Sequence, residues 1–229
     1  MVRSSPPILA VLLLAGGCAV EVEFESEYVS AQTPSYVAEA EIVVLMHDHD
    51  LEYVYEGGAN TLVGESTTLT MPIGSIMREI SARVFQSCFT YGVVFAEELP
   101  PGMSYIIAIE PEIREFSYRY DRQTEEGFID VTSTDDGFVG TPATRITPSI
   151  EFEMALTAYD ASGNVSLEKT YSSGRVAGES YITTSQPHER INATFHSALQ
   201  DIMLTVAEDI RPLLVGECTI TDAAAQALD

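Results

Sequence analysis

Ile150-Glu-Phe-Glu-Met-Ala-Leu-Thr-Ala-Tyr159 alternates strictly: Ile150, Phe152, Met154, Leu156 and Ala158 fall on one side, Glu151, Glu153, Thr157 and Tyr159 on the other. A period of two with one apolar side marks a strand that buries one face and shows the other to water. Asp160-Ala-Ser-Gly163-Asn164 follows with hairpin-turn chemistry, and residues 165–171 return as a partner strand. A sheet with an apolar face needs a second layer to cover it.

The sequence supplies that layer twice. Over residues 72–89, Ile73, Ile76, Met77, Ile80, Val84 and Cys88 recur at three- and four-residue steps, with Pro72 in the first turn and Gly92 as a stop. A second helix follows Pro187, with Ser185 or Thr184 as its cap. Ile191, Phe195, Ala198, Ile202, Val206, Ile210 and Leu213 form its stripe, and Pro212 and Gly216 end it. Further strands are expected at 39–46, around Ile42-Val-Val-Leu45, and at 51–55, 93–97, 105–110, 113–120 and 128–133, with a break at Pro111. The expected fold is α+β, in the order roughly ββ-α-βββ-ββ-α. An antiparallel sheet carries two amphipathic helices packed on one face, in a single domain over 39–220 with a flexible tail at 221–229.

The N-terminus carries a different signal. Arg3 and the terminal amine precede an apolar run from Ile8 to Ala15, then Gly16-Gly17-Cys18. The run is too short to span a bilayer, which takes about 20 residues, and has the build of a secretory leader. Leu14-Ala15-Gly16-Gly17-Cys18 resembles the bacterial lipobox, with Ala15 where that pattern prefers Leu. The resemblance implies a lipoprotein signal peptide at 1–17 and a mature chain beginning at Cys18. Its thiol would carry the diacylglycerol, with palmitate-type acyl chains enough for stable anchoring. Ala19 stands where an Asp would mark inner-membrane retention, which resembles an outer-membrane destination facing the periplasm. The other reading is an ordinary signal peptide cut nearby, with Cys18 incidental. In residues 18–38, Glu21, Glu23, Glu25 and Glu27 alternate with apolar residues. Next to a lipid anchor this reads as an acidic tether extended by self-repulsion; a strand is the alternative.

Composition narrows the partners. The chain has 35 acidic against 11 basic residues, a net charge of −24, and Lys169 is its one lysine. Such a field repels nucleic acid and anionic lipid headgroups. With Cys18 committed to lipid, Cys88 and Cys218 form an even pair, and an oxidising compartment predicts a disulfide between them. Closing a loop of ~130 residues would contribute ~4–5 kcal/mol by chain entropy.

Candidate chemistry is sparse. On an extended segment His47 and His49 would face one side and, beside Asp48 and Asp50, have metal-ligand character. Leu51 breaks the metallo-hydrolase pattern, and a polar turn accounts for the same residues. His188 and His196 stand two helical turns apart, too far to share a metal, and His196 is expected at the surface or half-buried. Tyr105, Tyr118, Tyr120, Tyr159 and Tyr171 fall on strands, as a protein-binding face or as ordinary strand formers. Nucleophile elbow, P-loop and dinucleotide fingerprints are missing from the sequence. No catalytic residue and no cofactor is assigned.

Three segments carry a further resemblance: Ile76-Met-Arg-Glu-Ile-Ser-Ala-Arg-Val-Phe85, Leu156-Thr-Ala-Tyr-Asp-Ala-Ser-Gly-Asn-Val165, and Ile191-Asn-Ala-Thr-Phe-His-Ser-Ala-Leu-Gln-Asp-Ile-Met203. With the lipobox, their order resembles the small α+β envelope lipoproteins that assist assembly or transport. These are the lipopolysaccharide-assembly lipoproteins, their YajG-like relatives and the auxiliary lipoproteins of ABC-type transporters. The resemblance implies a non-enzymatic accessory, held to the membrane by lipid, that binds an envelope protein partner. No functional residue of those families is carried over. The alternatives are a metal-binding protein or metal-dependent enzyme using His47 and His49, and a structural cell-surface lipoprotein.

Overall fold

The computed structural model describes residues 18–31, 33–61, 67–100, 106–134, 137–182, 188–216 and 218–222, with side chains except at 18, 67, 124–144 and 182. The chain forms β1 (Cys18–Glu21), a 3₁₀ turn (Ser26–Tyr28), β2 (Tyr36–Ala38), β3 (Ile42–Leu45), α1 (Asp48–Leu51), β4 (Tyr55–Gly57), β5 (Thr67–Met71) and α2 (Ile73–Cys88). It continues through β6 (Val93–Ala96), β7 (Ile107–Thr134), β8 (Gly137–Asp160), β9 (Val165–Ser172), β10 (Val176–Ala177), β11 (Tyr181–Ile182), α3 (His188–Leu214) and β12 (Ile220–Asp222).

β8 is the hub. Ile150, Phe152, Met154, Leu156 and Ala158 are all buried, and Glu151 and Glu153 are exposed, as the alternation requires. The main sheet runs β6-β3-β7-β8, and the far side of β8 pairs with β9 along one half and with β10 and β11 along the other. Asp160 closes the β8–β9 turn, its Oδ1 accepting N–H bonds from Ser162 and Asn164 at 2.8 and 2.9 Å. α2 and α3 contact each other and share one core with the buried face of this sheet, so the α+β architecture holds. Every residue of the expected α2 stripe is buried, and so is the α3 stripe except Leu213.

The pairing is more mixed than the sequence suggests. β3 lies parallel to both β6 and β7, whereas β7 to β11 are antiparallel. Between β3 and β6 the chain passes through α1, β4, β5 and α2, the long crossover that parallel neighbours require. All four residues of β3 are buried, as in a central strand covered on both faces. Residues 51–55 do not return as a strand beside β3: α1 turns the chain away, and β4 pairs with β5 in a separate sheet of order β1-β5-β4. Nor does Pro111 break β7. Past Ile109 the β3 ladder has ended, so a residue without an N–H is accommodated on the open side.

Two expectations about the ends need correction. Residues 18–38 are not a loose tether. β1 lies parallel to β5, β2 pairs with β12, and Val29 and Tyr36 are buried. Burying these side chains outweighs the repulsion among exposed glutamates, which water and salt screen. Ile220 is not where order stops, because β12 carries Thr221 and Asp222 onto β2 and Asp222 meets Arg211. Residues 1–17, where a leader is expected, and residues 223–229 lie outside the described residues.

One close approach locks α1 to α2. The Gly74 N–H donates to the Tyr53 carbonyl at 3.1 Å, and a Cβ on Gly74 would collide with the Asp50 carbonyl oxygen and lie 2.6 Å from that of Leu51. Gly74→Ala should therefore destabilise the protein by about 2 kcal/mol through overpacking, although alanine favours a helix more than glycine does. A urea midpoint equal to or above wild type would show that α1 is not held there.

Candidate functional site

His47 precedes α1 and His49 lies within it, so neither is on an extended strand. Their rings stack at 5.5 Å, only 8° from parallel. His47 Nε2 lies 3.1 Å from Glu110 Oε1, whereas His49 Nε2 lies 3.3 Å from Asp50 Oδ1. The imidazoles thus address two different carboxylates rather than one point. Among the described residues, no group of three or more His, Cys, Asp and Glu is arranged to hold a metal ion. The sequence reading missed Glu110 and placed Tyr159 only among the strand tyrosines. The Tyr159 hydroxyl donates to Glu110 Oε2 at 2.6 Å, and that bond, with some burial, pushes the phenol up to about 12. Glu110 thereby joins β7, β8 and the loop before α1, which makes it a structural clasp on the second face of the sheet.

No disulfide joins Cys88 and Cys218 in the structure, so the expected bridge is not formed. Cys88 is buried on the α2 stripe, where burial pushes its thiol up. Cys218 Sγ is turned to the Leu214 carbonyl at 3.7 Å. Cys18 is the first residue of β1. No helix among the described residues is long and apolar enough to cross a membrane. Tyr118, Tyr120 and Tyr171 are buried and do not make an exposed aromatic face. Tyr105 lies outside the described residues.

The densest polar chemistry lies where the N-terminal segment crosses α3. His188, Asn192, His196 and Gln200 recur every four residues, so they share one side of the helix. All four are buried. His188 Nδ1 lies 3.1 Å from the Tyr120 hydroxyl. The other three bind backbone groups of the N-terminal segment. Asn192 Nδ2 donates to the Glu23 carbonyl at 2.8 Å, and His196 Nε2 accepts from the Glu25 N–H at 3.2 Å. Gln200 accepts from the Ser30 N–H at 3.2 Å and donates to the Ser30 carbonyl at 2.7 Å. Phe24 and Tyr28 flank the His196 ring at 5.3 and 5.6 Å. His196 is therefore fully buried rather than exposed or half-buried.

This geometry assigns the tautomer. Nε2 accepts, so the proton sits on Nδ1, which donates to the Asn192 carbonyl at 2.9 Å. Burial pushes His196 down to about 4, only partly offset by that backbone bond. On the same stretch, Tyr28 is pushed up by burial and by Glu27, Glu25 and Glu189, so carboxylates from the N-terminal segment and from α3 converge there. A cavity of about 380 Å³ lies between the two elements, lined by Glu21, Glu23, Glu25, Tyr28, Glu189 and Asn192 among others.

No family model matches the sequence, and no curated protein matches it. Solved structures give a likeness in shape only. A DUF330-family protein from Xanthomonas campestris matches at a TM-score of 0.46 and 10% identity, covering 82% of this chain and 92% of that one. A homolog of neuraminyllactose-binding hemagglutinin from Helicobacter pylori matches at 0.39 and 8%, covering 92% and 100%. A minor lipoprotein from Acinetobacter baumannii matches at 0.30 and 10%, covering 81% and 98%. At these values nothing about activity follows from the likeness.

The His196 contact predicts a pH dependence. Its folded value of about 4 lies below the ordinary 6.5, so the unfolded chain takes up the proton first. The stabilisation is full above pH 6.5 and is lost as pH falls toward 4, by about 3 kcal/mol in all. His196→Gln should be less stable at pH 7 and lose this part of the acid slope. Parallel pH–stability curves for the two proteins, by urea unfolding, would refute the assignment.

Proposed function

We propose that this chain is a lipid-anchored lipoprotein of the bacterial envelope, non-enzymatic, that binds a protein partner. The observation that carries the reading is that the lipobox-like run Leu14-Ala15-Gly16-Gly17-Cys18 delivers its cysteine to the first residue of β1. From β1 the chain is bonded to the body continuously. The Val22 N–H donates to Thr70 at 3.0 Å, and the His196 and Gln200 contacts follow. A diacylglycerol on Cys18 would then hold the domain flush against the bilayer instead of at the end of a leash. The outer membrane, facing the periplasm, is the proposed address.

The β7–β8 ribbon supports partner binding. The two strands pair as far as Thr134↔Gly137, with a register shift between Thr124 and Ile129, and among the described residues no other strand pairs with them beyond Arg145 on β8. Eight residues of β8 in this stretch extend roughly 25 Å. A two-stranded ribbon offers unpaired backbone edges to which a partner strand can add.

The test combines two variants in native membranes. Cys18→Ser should lose lipid labelling and move to the soluble fraction. A chain with residues 124–144 replaced by an Asn-Gly turn should keep its melting temperature but lose the cross-linked partner seen with wild type. Persistent labelling of Cys18→Ser would overturn the anchor. An identical cross-linked partner in the shortened chain would overturn the ribbon as the binding element, and no specific partner in either would favour a purely structural surface protein.

A further inference from the structure

We propose that the outer part of the β7–β8 ribbon lies with one face on the bilayer that holds the lipid of Cys18. This placement rests on the lipid anchor proposed above; the direction of the ribbon and its two faces come from the fold. α3 begins beside Tyr120, whose hydroxyl meets His188. It runs back along the sheet, with Phe195 against Phe116 and Phe152, and Asp209 at the Tyr171 hydroxyl. β7 and β8 therefore pass the start of α3 and continue, paired, from Asp121↔Thr147 to Thr134↔Gly137. Between Thr147 and Gly137, β8 extends roughly 35 Å. Cys18 leaves from the same end. The N-terminal segment lies along α3 in the helix's own direction, Glu23 at Asn192, Glu25 at His196 and Ser30 at Gln200. Traced back from Glu23, the stretch to Cys18 covers about 16 Å, whereas Asn192 stands only about 6 Å inside the helix. β4 gives the same direction independently. Tyr55 packs on Phe116, the Gly57 carbonyl accepts from the Tyr118 hydroxyl, and Thr61 Oγ1 accepts the Tyr120 N–H. β4 thus runs toward the ribbon, and β5, antiparallel to it, starts there with Thr67 beside Cys18.

A ribbon that leaves beside the anchor and reaches further than it meets the membrane. Its register sets what it presents there. Ile129 pairs with Pro142, Val131 with Gly140 and Ser133 with Phe138. Paired residues share a face with every second residue along each strand. Ile129, Val131, Phe138 and Pro142 therefore fall on one face. Asp130, Thr132, Thr134 and Thr141 fall on the other, with Val139 as its apolar exception. α3, which covers the apolar side of β8 further back, begins level with Tyr120 and does not extend over this stretch. An apolar patch edged by polar residues marks a contact surface, and the anchor at the same end brings lipid to this one. Asp130, and Asp135 and Asp136 between the two strands in sequence, are costly in hydrocarbon. The ribbon therefore lies along the interface, apolar face down, instead of entering the bilayer. A net charge of −24 opposes anionic headgroups, so the surface that fits is zwitterionic. The backbone edges of the ribbon stay open to a partner strand.

The chain has no tryptophan, so one introduced tryptophan reports on one position. Phe138→Trp, Thr132→Trp and Tyr91→Trp are made in the full chain, purified with its lipid and placed in phosphatidylcholine vesicles whose acyl chains carry bromine. Tyr91 is exposed and donates its N–H to the Ala40 carbonyl, at the end of the sheet where β3, β6 and β7 begin, opposite the ribbon. An interfacial segment sinks its apolar face about 5–10 Å, within contact of bromine, so Phe138→Trp emission should shift to the blue and fall by about half. Thr132→Trp and Tyr91→Trp should keep theirs. Unquenched Phe138→Trp, on chains that carry acyl groups by mass spectrometry, would overturn the placement, leave the anchor standing and assign the face to a protein partner. Equal quenching of Phe138→Trp and Thr132→Trp would overturn the assignment of one face to the bilayer. Chains without acyl groups would overturn the anchor and this placement with it.

Discussion

A strip of chain laid along a helix has no strand beside it to take its N–H and C=O groups, and left unpaired in a buried place each would cost about 1–3 kcal/mol. Residues 23–30 meet this constraint with side chains of α3. Asn192 takes the Glu23 carbonyl, His196 takes the Glu25 N–H, and Gln200 takes both groups of Ser30. The four-residue spacing puts these acceptors and donors in a row, about 6 Å of helix rise apart, close to the length of two extended residues. The match between Glu23 and Glu25 on one side and Asn192 and His196 on the other follows from that.

Much else depends on this row. α3 must be buried on two sides, so it carries an apolar stripe toward the sheet and a polar stripe toward the N-terminal segment. With the segment held, β1 is aligned on β5, and Phe24 and Val22 pack on the core. The chain from Cys18 onward is then part of the body, which decides how an anchored domain would stand on a membrane. The placement of Cys18 and the pH response of His196 therefore rest on one set of contacts.

The parts legible in the sequence are those written as a period. The alternation of Ile150 to Ala158 and the stripes of α2 and α3 identify the buried faces directly. Pairing is not written that way: Ile42-Val-Val-Leu45 reads as a buried strand whether its neighbours are parallel or antiparallel. His47 to Asp50 reads as a turn or a metal cluster because a four-residue helix is too short to show a period. The acidic run at Glu21 to Glu27 reads as a tether when charge is weighed alone, although Val22 and Phe24 were available as buried anchors. The row His188, Asn192, His196, Gln200 was visible as spacing. Read as a pair of histidines it yields only a failed metal site; read as four polar residues on one side of an apolar helix it points to a polar partner inside the protein. Glu110 and Tyr159 are 49 residues apart, and only the β7–β8 register brings them together.

Hydrogen exchange at the amides of Val22, Glu25 and Ser30 reports whether α3 holds the N-terminal segment to the body. These N–H groups donate to the Thr70 carbonyl, His196 Nε2 and Gln200 Oε1, so each should exchange at least a hundredfold more slowly than in an unstructured peptide at pH 7. Glu25 should lose that protection in His196→Ala. Exchange of all three at peptide rates would mean that residues 19–31 are a tether after all, and that α3 buries its polar stripe against something else.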